Sequence, residues 1–120
     1  MRGKVFHNRI AEEAKMIFNS HGWQIYTEHR CRKNGITTYL DLFAVKGDKS
    51  IACEVETTSR HAIDNALKAQ AAGVVLWIIV PTRALRRQVE RKLELSGITK
   101  NYQTIKTILL SQLNAELNLL

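Results

Sequence analysis

Cysteine and proline are scarce in this 120-residue sequence, which contains two cysteines and one proline. Cys31 and Cys53 are too few for a disulfide framework and have no metal-ligand spacing. Cys53 also falls within an apolar segment, where a thiol behaves as a small hydrophobe. These shortages argue against a disulfide-stapled secreted scaffold and a cysteine-based zinc site, so we expect a protein of a reducing compartment.

Long apolar runs are also missing. The longest, Val74 to Val80, is far shorter than the roughly 20 residues that a membrane-spanning helix needs. The N-terminus lacks the uninterrupted apolar stretch of a signal peptide. We therefore expect a cytoplasmic protein without a membrane partner.

Acidic residues are the minority among the charges: eleven Asp and Glu face eighteen Lys and Arg, for a formal charge of +7. This balance suits a polyanionic partner such as nucleic acid, although many soluble domains are basic without binding one. Hydrophobic residues make up 45% of the chain, enough for one ordinary core. We expect a single domain over residues 1–120.

Apolar periodicity and turn residues predict an alternation of helices and strands. The predicted elements are a helix at 9–20, strands at 23–28, 37–46 and 50–57, a helix at 60–72, a strand at 74–80, a helix capped by Thr82, a strand at 102–110 and a short C-terminal helix. The basic segment 30–35 is predicted to be a loop, with a turn at Asn34-Gly35. This order favours a mixed sheet with helices packed on it.

The strands at 37–46 and 50–57 are expected to form an antiparallel hairpin that brings acids together. A turn at Gly47-Asp48 places Asp41 directly opposite Glu54. Strand alternation then assigns the side chains to two faces. The apolar face is Leu40, Leu42, Ala44, Ile51, Cys53 and Val55, and the acidic face is Tyr39, Asp41, Phe43, Glu54 and Glu56.

Opposed carboxylates repel one another, and a divalent cation would offset that repulsion. Carboxylate oxygens with water are the ligands that Mg²⁺ prefers, and Mn²⁺ also fits. The alternative is an acidic sheet face exposed to solvent. Phe43, Val45 and Ala52 share this face and indicate a partly covered cleft instead.

The segments Leu40-Asp41 and Glu54-Val55-Glu56, after a helix bearing Glu12 and Glu13, resemble the PD-(D/E)XK nuclease superfamily, and in particular archaeal Holliday-junction resolvases. The resemblance covers roughly residues 8–81. It implies an α/β fold with a restriction-endonuclease-like αβββαβ core, in which a mixed central sheet is flanked by helices. It also implies Mg²⁺-dependent hydrolysis of DNA phosphodiester bonds by a homodimer, with no organic cofactor.

By this resemblance Asp41, Glu54 and the carbonyl of Val55 would hold the metal. Glu56 stands where the motif usually has a Lys that orients or deprotonates the attacking water, a variant similar to some type II restriction endonucleases. Glu56 is therefore a candidate general base. Lys68, on the following helix, is a candidate replacement for the missing cation. The motif Pro is also absent, because Leu40 occupies its position.

Helical geometry puts Glu13 beside the apolar stripe of the first helix and Glu12 toward solvent, so we expect Glu13 to approach the metal. Both acids are equally compatible with a plain surface role. On the second helix, Ile63, Ala66 and Leu67 are expected to pack on the sheet with Gln70 among them. The family often carries a Gln near the active site, although a hydrogen-bonded core amide explains Gln70 as well.

Basic and polar side chains on the later helices are candidate DNA contacts that would position the backbone without reading sequence. The candidates are Arg60, Asn65, Gln70, Arg83, Arg86, Arg87 and Arg91. Solvent-exposed helix faces with internal ion pairs to Glu90 and Glu94 are the alternative explanation. The sequence thus predicts a metal-dependent endonuclease, with a non-catalytic DNA-binding domain or a subunit of a larger complex as alternatives.

Overall fold

The computed structural model describes residues 2–98 and 104–120. The helices are α1 (Arg2–Ser20), α2 (Ala62–Ala72), α3 (Arg83–Leu95) and α4 (Leu113–Asn118), and a 3₁₀ turn at Leu110–Gln112 precedes the last. The strands are β1 (Gln24–Lys33), β2 (Ile36–Lys46), β3 (Lys49–Val55), β4 (Leu76–Val80) and β5 (Ile105–Leu109). The predicted order of elements is confirmed. The first residues of the predicted last strand, 102 and 103, lie outside the described part.

A five-stranded mixed sheet forms the centre of the fold, with strands in the order β1-β2-β3-β4-β5. The first three strands are antiparallel and are joined by hairpins. The pairs β3-β4 and β4-β5 are parallel, so each needs a crossover, which α2 and α3 provide. The predicted α/β architecture, a mixed sheet flanked by helices, is confirmed.

Apolar clusters cover the two faces of the sheet. One contains residues of α1 and α4, such as Ile10, Phe18 and Leu113, and the other contains residues of α2 and α3, such as Ala66 and Val89. Strand β4 serves both clusters because its side chains alternate and all five are buried. Among the described residues, no helix is long and apolar enough to cross a membrane.

Helix α1 begins at Arg2, not at residue 9 as predicted. Its second half buries Ile10, Ala14 and Phe18, whereas Val5 and Phe6 in its first turns are exposed. The early turns therefore continue the backbone hydrogen bonding without a buried apolar stripe, which is why the periodicity did not reveal them. The extension carries His7 toward the sheet.

The predicted loop at 30–35 is also wrong, because Arg30 to Lys33 belong to β1 and only Asn34-Gly35 form the turn. Both turn residues have positive φ, 53° and 75°, as a type I′ hairpin turn requires. Strand β1 is at the edge of the sheet. Polar side chains such as Arg30 and Arg32 stay exposed there, and their polarity resembled that of a loop.

The predicted register of the β2-β3 hairpin is confirmed by the pairs from Leu42-Cys53 to Lys46-Lys49. The face of Leu40 was predicted wrongly: it lies in the α2/α3 cluster, whereas Leu42 lies in the α1/α4 cluster. Alternation therefore breaks around Asp41, beyond the last pair with β3. Across from this point in β1, Glu28 has a φ of 49°. We attribute this break to a bend in the hairpin, which is possible here because β2 is no longer paired with β3.

Candidate active site

Three carboxylates meet where β2 and β3 part. Oδ2 of Asp41 accepts a 2.8 Å hydrogen bond from the backbone N–H of Val55, just past the last pair of the ladder. Glu54 and Glu56 flank Val55 in sequence, and Glu56 is only 8% exposed. The fold therefore holds these acids together, with Glu56 buried and with Asp41 and Glu54 partly buried.

Glu54 and Asp41 share a hydrogen bond between their side chains. Burial, the charge of Asp41 and this hydrogen bond raise the pKa of Glu54 to about 9, with a smaller contribution from Glu56. The charge of Lys68 on α2 acts in the opposite direction and lowers the pKa of Glu54. Burial and the neighbouring carboxylates thus favour the protonated form of Glu54. The structure brings Lys68 into the electrostatic range of the site.

Glu56 has a different environment from Glu54. Burial and the charge of Asp41 raise the pKa of Glu56 to about 7, while the charge of His7 and a hydrogen bond from Asn65 lower it. Nδ2 of Asn65 donates to Oε1 of Glu56 at 2.6 Å. The backbone N–H of Glu56 donates to the carbonyl of Ile79 at 2.9 Å, which fixes the end of β3 against β4. Glu56 is therefore a held carboxylate that titrates near neutrality.

His7 is a site residue that sequence reasoning missed. Its Nε2 lies 3.1 Å from Oδ2 of Asp41, and both side chains are partly exposed. His7 precedes the buried Ile10 and Ala14 by three and seven positions, so it continues the stripe of α1 that faces the sheet. Only a helix extended to Arg2 would have revealed this position from sequence.

A cavity of about 440 Å³ opens on the acids. It is lined by Gly3, Lys4, His7, Asp41, Glu54, Val55, Glu56, Thr57, Thr58, His61 and Asn65. A larger cavity of about 490 Å³ lies elsewhere, around Trp23 and Trp77, and Asp48 is the one carboxylate among its lining residues. The density of titratable side chains places the candidate chemistry in the acid-lined cavity.

A further cavity of about 430 Å³ borders Asp41 and corrects the expectation for α1. Glu12 lines it with His7, Asp41 and Glu28. Glu13, the acid expected near the metal, is exposed and is not among its lining residues. Packing on the sheet sets how α1 is rotated about its own axis. The apolar pattern alone did not define this rotation closely enough to choose between Glu12 and Glu13.

The acids fit a hard divalent cation. Among residues 2–98 and 104–120, no group of three or more His, Cys, Asp or Glu side chains is arranged around one metal position. Mg²⁺ does not require such a group, because proteins commonly hold it with one or two carboxylates, water and substrate phosphate. Asp41, Glu54 and Val55 line one cavity and are the oxygen donors that this cavity offers to such an ion. The like-charge contact that raises the pKa of Glu54 is what a cation would relieve.

The candidate DNA contacts are placed unevenly. Arg60, Arg83, Arg87 and Arg91 are exposed. Arg86 is instead held within the fold, because its guanidinium donates to Oε1 of Gln112 at 2.8 Å. The side-chain amide of Asn65 is hydrogen-bonded to Glu56. The side chain of Lys92 reaches the carbonyl of Ser59 at 3.3 Å, which joins α3 to the segment that follows the acids.

Helix α2 packs through a stripe that only partly matches the predicted one: Ala66 is buried and Ile63 is partly buried against the α2/α3 cluster, but Leu67 is not. The buried residues of α2 are Ala62, Ala66, Ala69 and Ala72. Leu67 is 48% exposed and Gln70 is exposed, so Gln70 is not a core amide. The sequence pattern favoured the larger apolar side chains, but the close approach of α2 to the sheet selects alanine.

Comparison with known proteins gives a structural similarity but no family. No family model matches the chain, and no curated protein does. The fold is similar to the crystal structure of a protein of unknown function, AF1548, with a TM-score of 0.60 and 14% sequence identity. The match covers 85% of this chain and 58% of AF1548, so the chain spans little more than half of that protein's length. At this identity the similarity shows a shared α/β fold.

Proposed function

We propose that the protein is a metal-dependent endonuclease that hydrolyses DNA phosphodiester bonds. The observation that carries the proposal is the contact of Asp41 and Glu54 beside Glu56, in a cavity at the point where β2 and β3 separate. The resemblance of these residues to the PD-(D/E)XK motif and the +7 charge support the same reading.

Asp41, Glu54 and the carbonyl of Val55 would hold Mg²⁺ or Mn²⁺. The cation would polarise the phosphate and lower the pKa of a bound water toward neutrality. His7 and the Val55 N–H orient Asp41, since both contact its Oδ2. Lys68 favours the ionised form of Glu54, which metal binding needs.

Glu56 is the proposed general base. A pKa of about 7 lets it accept a proton from water while a large fraction remains ionised at neutral pH. Asn65 fixes the orientation of the carboxylate through Oε1. Glu56 lines the same cavity as Asp41 and Glu54, so a water molecule in that cavity has the base within reach.

The exposed arginines Arg60, Arg83, Arg87 and Arg91 are proposed phosphate contacts. A homodimer is proposed because cutting both strands of DNA generally takes two sites, and a cytoplasmic location because the sequence has few cysteines. One observation favours a non-catalytic DNA-binding domain as a second candidate: Glu56 replaces the motif Lys.

A cleavage assay tests the proposal. Labelled junction, flap, duplex and single-stranded DNAs are incubated with Mg²⁺, Mn²⁺ or EDTA. We expect metal-dependent cutting by the parent and loss of at least 100-fold in Asp41→Asn and Glu54→Gln, because the metal supplies many kcal/mol to the step. Glu13→Gln is the matched control, since Glu13 is an exposed acid. Cutting that persists in Glu54→Gln, or DNA binding without cutting by the parent, would reject the nuclease.

A further inference from the structure

The β1-β2 hairpin continues past the rest of the sheet as a two-stranded arm. Strand β2 pairs with β3 only from Leu42 to Lys46, but it pairs with β1 as far as the Asn34-Gly35 turn. We call residues 28–40 the arm. At its tip, Nδ2 of Asn34 donates to the carbonyl of Ala72 at 3.2 Å. Its base adjoins Asp41 and therefore the acids. The arm is thus held at its tip by α2 and at its base by the sheet.

One face of the arm carries an exposed aromatic ring beside a cation. Tyr39 is 70% exposed and pairs directly with Arg30, which is also exposed. Directly opposed side chains in an antiparallel pair share a face. Leu40 is buried toward α2, so its neighbour Tyr39 projects from the opposite face. Arg32 extends the positive charge toward the tip.

The other aromatic side chains of this hairpin contact one another instead. The ring of His29 stacks on Phe43, with centroids 4.9 Å apart and planes 11° apart, and Tyr26 contacts His29 at 5.7 Å. Phe43 packs against the α2/α3 cluster. This row lies at the base of the arm, on the face opposite Tyr39. Tyr26 is 43% exposed, so it provides a control tyrosine with a partner within the protein.

We propose that the arm binds an unpaired nucleic-acid strand, with a base stacked on Tyr39 and phosphates at Arg30 and Arg32. Aromatic rings interleaved with cations are the usual platform for single strands, since every base has a π-face. Tyr39 is two residues from Asp41, roughly 7 Å along an extended strand. That spacing corresponds to about two stacked base steps of a DNA strand.

The inference deepens the proposed nuclease by naming its substrate class: DNA with unpaired nucleotides next to the scissile bond, such as a flap or a fork. The cleavage part rests on the proposed function, whereas the binding part does not. A fully paired duplex offers no base to Tyr39, because its bases are stacked within the helix.

Fluorescence anisotropy in EDTA tests the binding part with a single strand, a flap and a blunt duplex as probes. The parent should bind the first two more tightly than the duplex. Tyr39→Ala should weaken single-strand binding about tenfold and leave duplex binding unchanged. Tyr26→Ala should match the parent. Equal binding of all probes by the parent, or an unchanged single-strand affinity in Tyr39→Ala, overturns the inference.

Two further variants guard against a merely structural effect. Tyr39→Trp should keep the affinity, and the fluorescence of the added indole should be quenched when the strand binds, as stacking requires. Arg30→Gln should reduce the slope of log affinity against log salt by about 0.7 for a lost phosphate contact on a single strand. An unquenched indole or an unchanged salt slope would contradict the proposal that the arm binds an unpaired strand.

Cleavage separates this inference from the proposed function. If metal-dependent cutting of flap DNA is equal in the parent and Tyr39→Ala, the proposed role of the arm is wrong and the proposed nuclease activity is supported. Tyr39-dependent binding of single strands by a protein that cuts none of the DNAs would support the arm and reject the nuclease.

Discussion

Nε2 of His7 lies 3.1 Å from Oδ2 of Asp41, which is 34 residues away in sequence. The contact joins the second turn of α1 to the point where β2 leaves β3. It also adds a titratable base beside three carboxylates. The charge of His7 lowers the pKa of Glu56, so a residue of the first helix influences the candidate general base through its charge.

Replacement of His7 by Ala should therefore raise the pKa of Glu56 above about 7. Loss of the positive charge removes one of two influences that favour the ionised carboxylate. The carboxyl carbon of Glu56 can be followed by NMR titration. His21→Ala is the control, because His21 bonds to Asn114 at the far end of α1. An unchanged Glu56 titration in His7→Ala would contradict the effect of the His7 charge on the pKa of Glu56.

The part of this site that follows from local rules was predictable. A two-residue turn at Gly47-Asp48 fixes the hairpin register, which runs to the pair Leu42-Cys53 and so brings Asp41 and Glu54 to its end. His7 was not predictable, since the first turns of α1 bury no apolar stripe. The choice between Glu12 and Glu13 depends on how α1 is rotated against the sheet. The face of Leu40 depends on a bend that arises only where pairing with β3 stops.

The stability of the metal-free protein should fall as pH rises from about 4.5 to about 9. Over that range the folded state keeps the proton of Glu54, whose pKa is about 9, while the unfolded state with an ordinary value near 4.5 has released it. The folded state then binds more protons than the unfolded state. Each increase in pH therefore lowers the free energy of unfolding. Glu56 adds an effect of the same sign up to about pH 7.

Urea unfolding in EDTA at several pH values measures this dependence, and Glu54→Gln should flatten it markedly. Glu13→Gln should keep the parent profile, because Glu13 is exposed. A parent protein whose stability rises through this range would show that Glu54 is ionised in the fold.

Binding of Mg²⁺ or Mn²⁺ near neutral pH should release about one proton. Glu54 is protonated there, and its carboxylate must ionise before it can serve as a ligand. Calorimetry in two buffers with different heats of ionisation counts the protons. In Glu54→Gln both the binding heat and the proton release should be lost. Metal binding with no proton release would place the cation away from Glu54.

Arg86 and Arg87 should separate stability from DNA binding. Arg86→Ala should lower the free energy of unfolding by about 1–2 kcal/mol, since it breaks the hydrogen bond to Gln112 that ties α3 to the turn before α4. Arg87→Ala should leave stability unchanged, because Arg87 is exposed, and should weaken DNA binding. Urea unfolding and anisotropy on the same two variants make the comparison. Weaker DNA binding with unchanged stability in Arg86→Ala would instead support Arg86 as a DNA contact.

Substitutions of Asn65 should move the pH dependence of cleavage in a defined order. Nδ2 of Asn65 donates to Oε1 of Glu56, which lowers the pKa of that carboxyl. Asn65→Ala removes the donor, and Asn65→Asp places a second negative charge there, so the pKa of Glu56 should rise in the order parent, Ala, Asp.

If Glu56 must be ionised to accept a proton from water, the rising limb of the pH–rate profile should shift to higher pH in the same order. A limb that stays fixed while NMR shows the pKa of Glu56 rising would remove Glu56 from the role of general base. Another group of the site would then control the pH dependence of the rate.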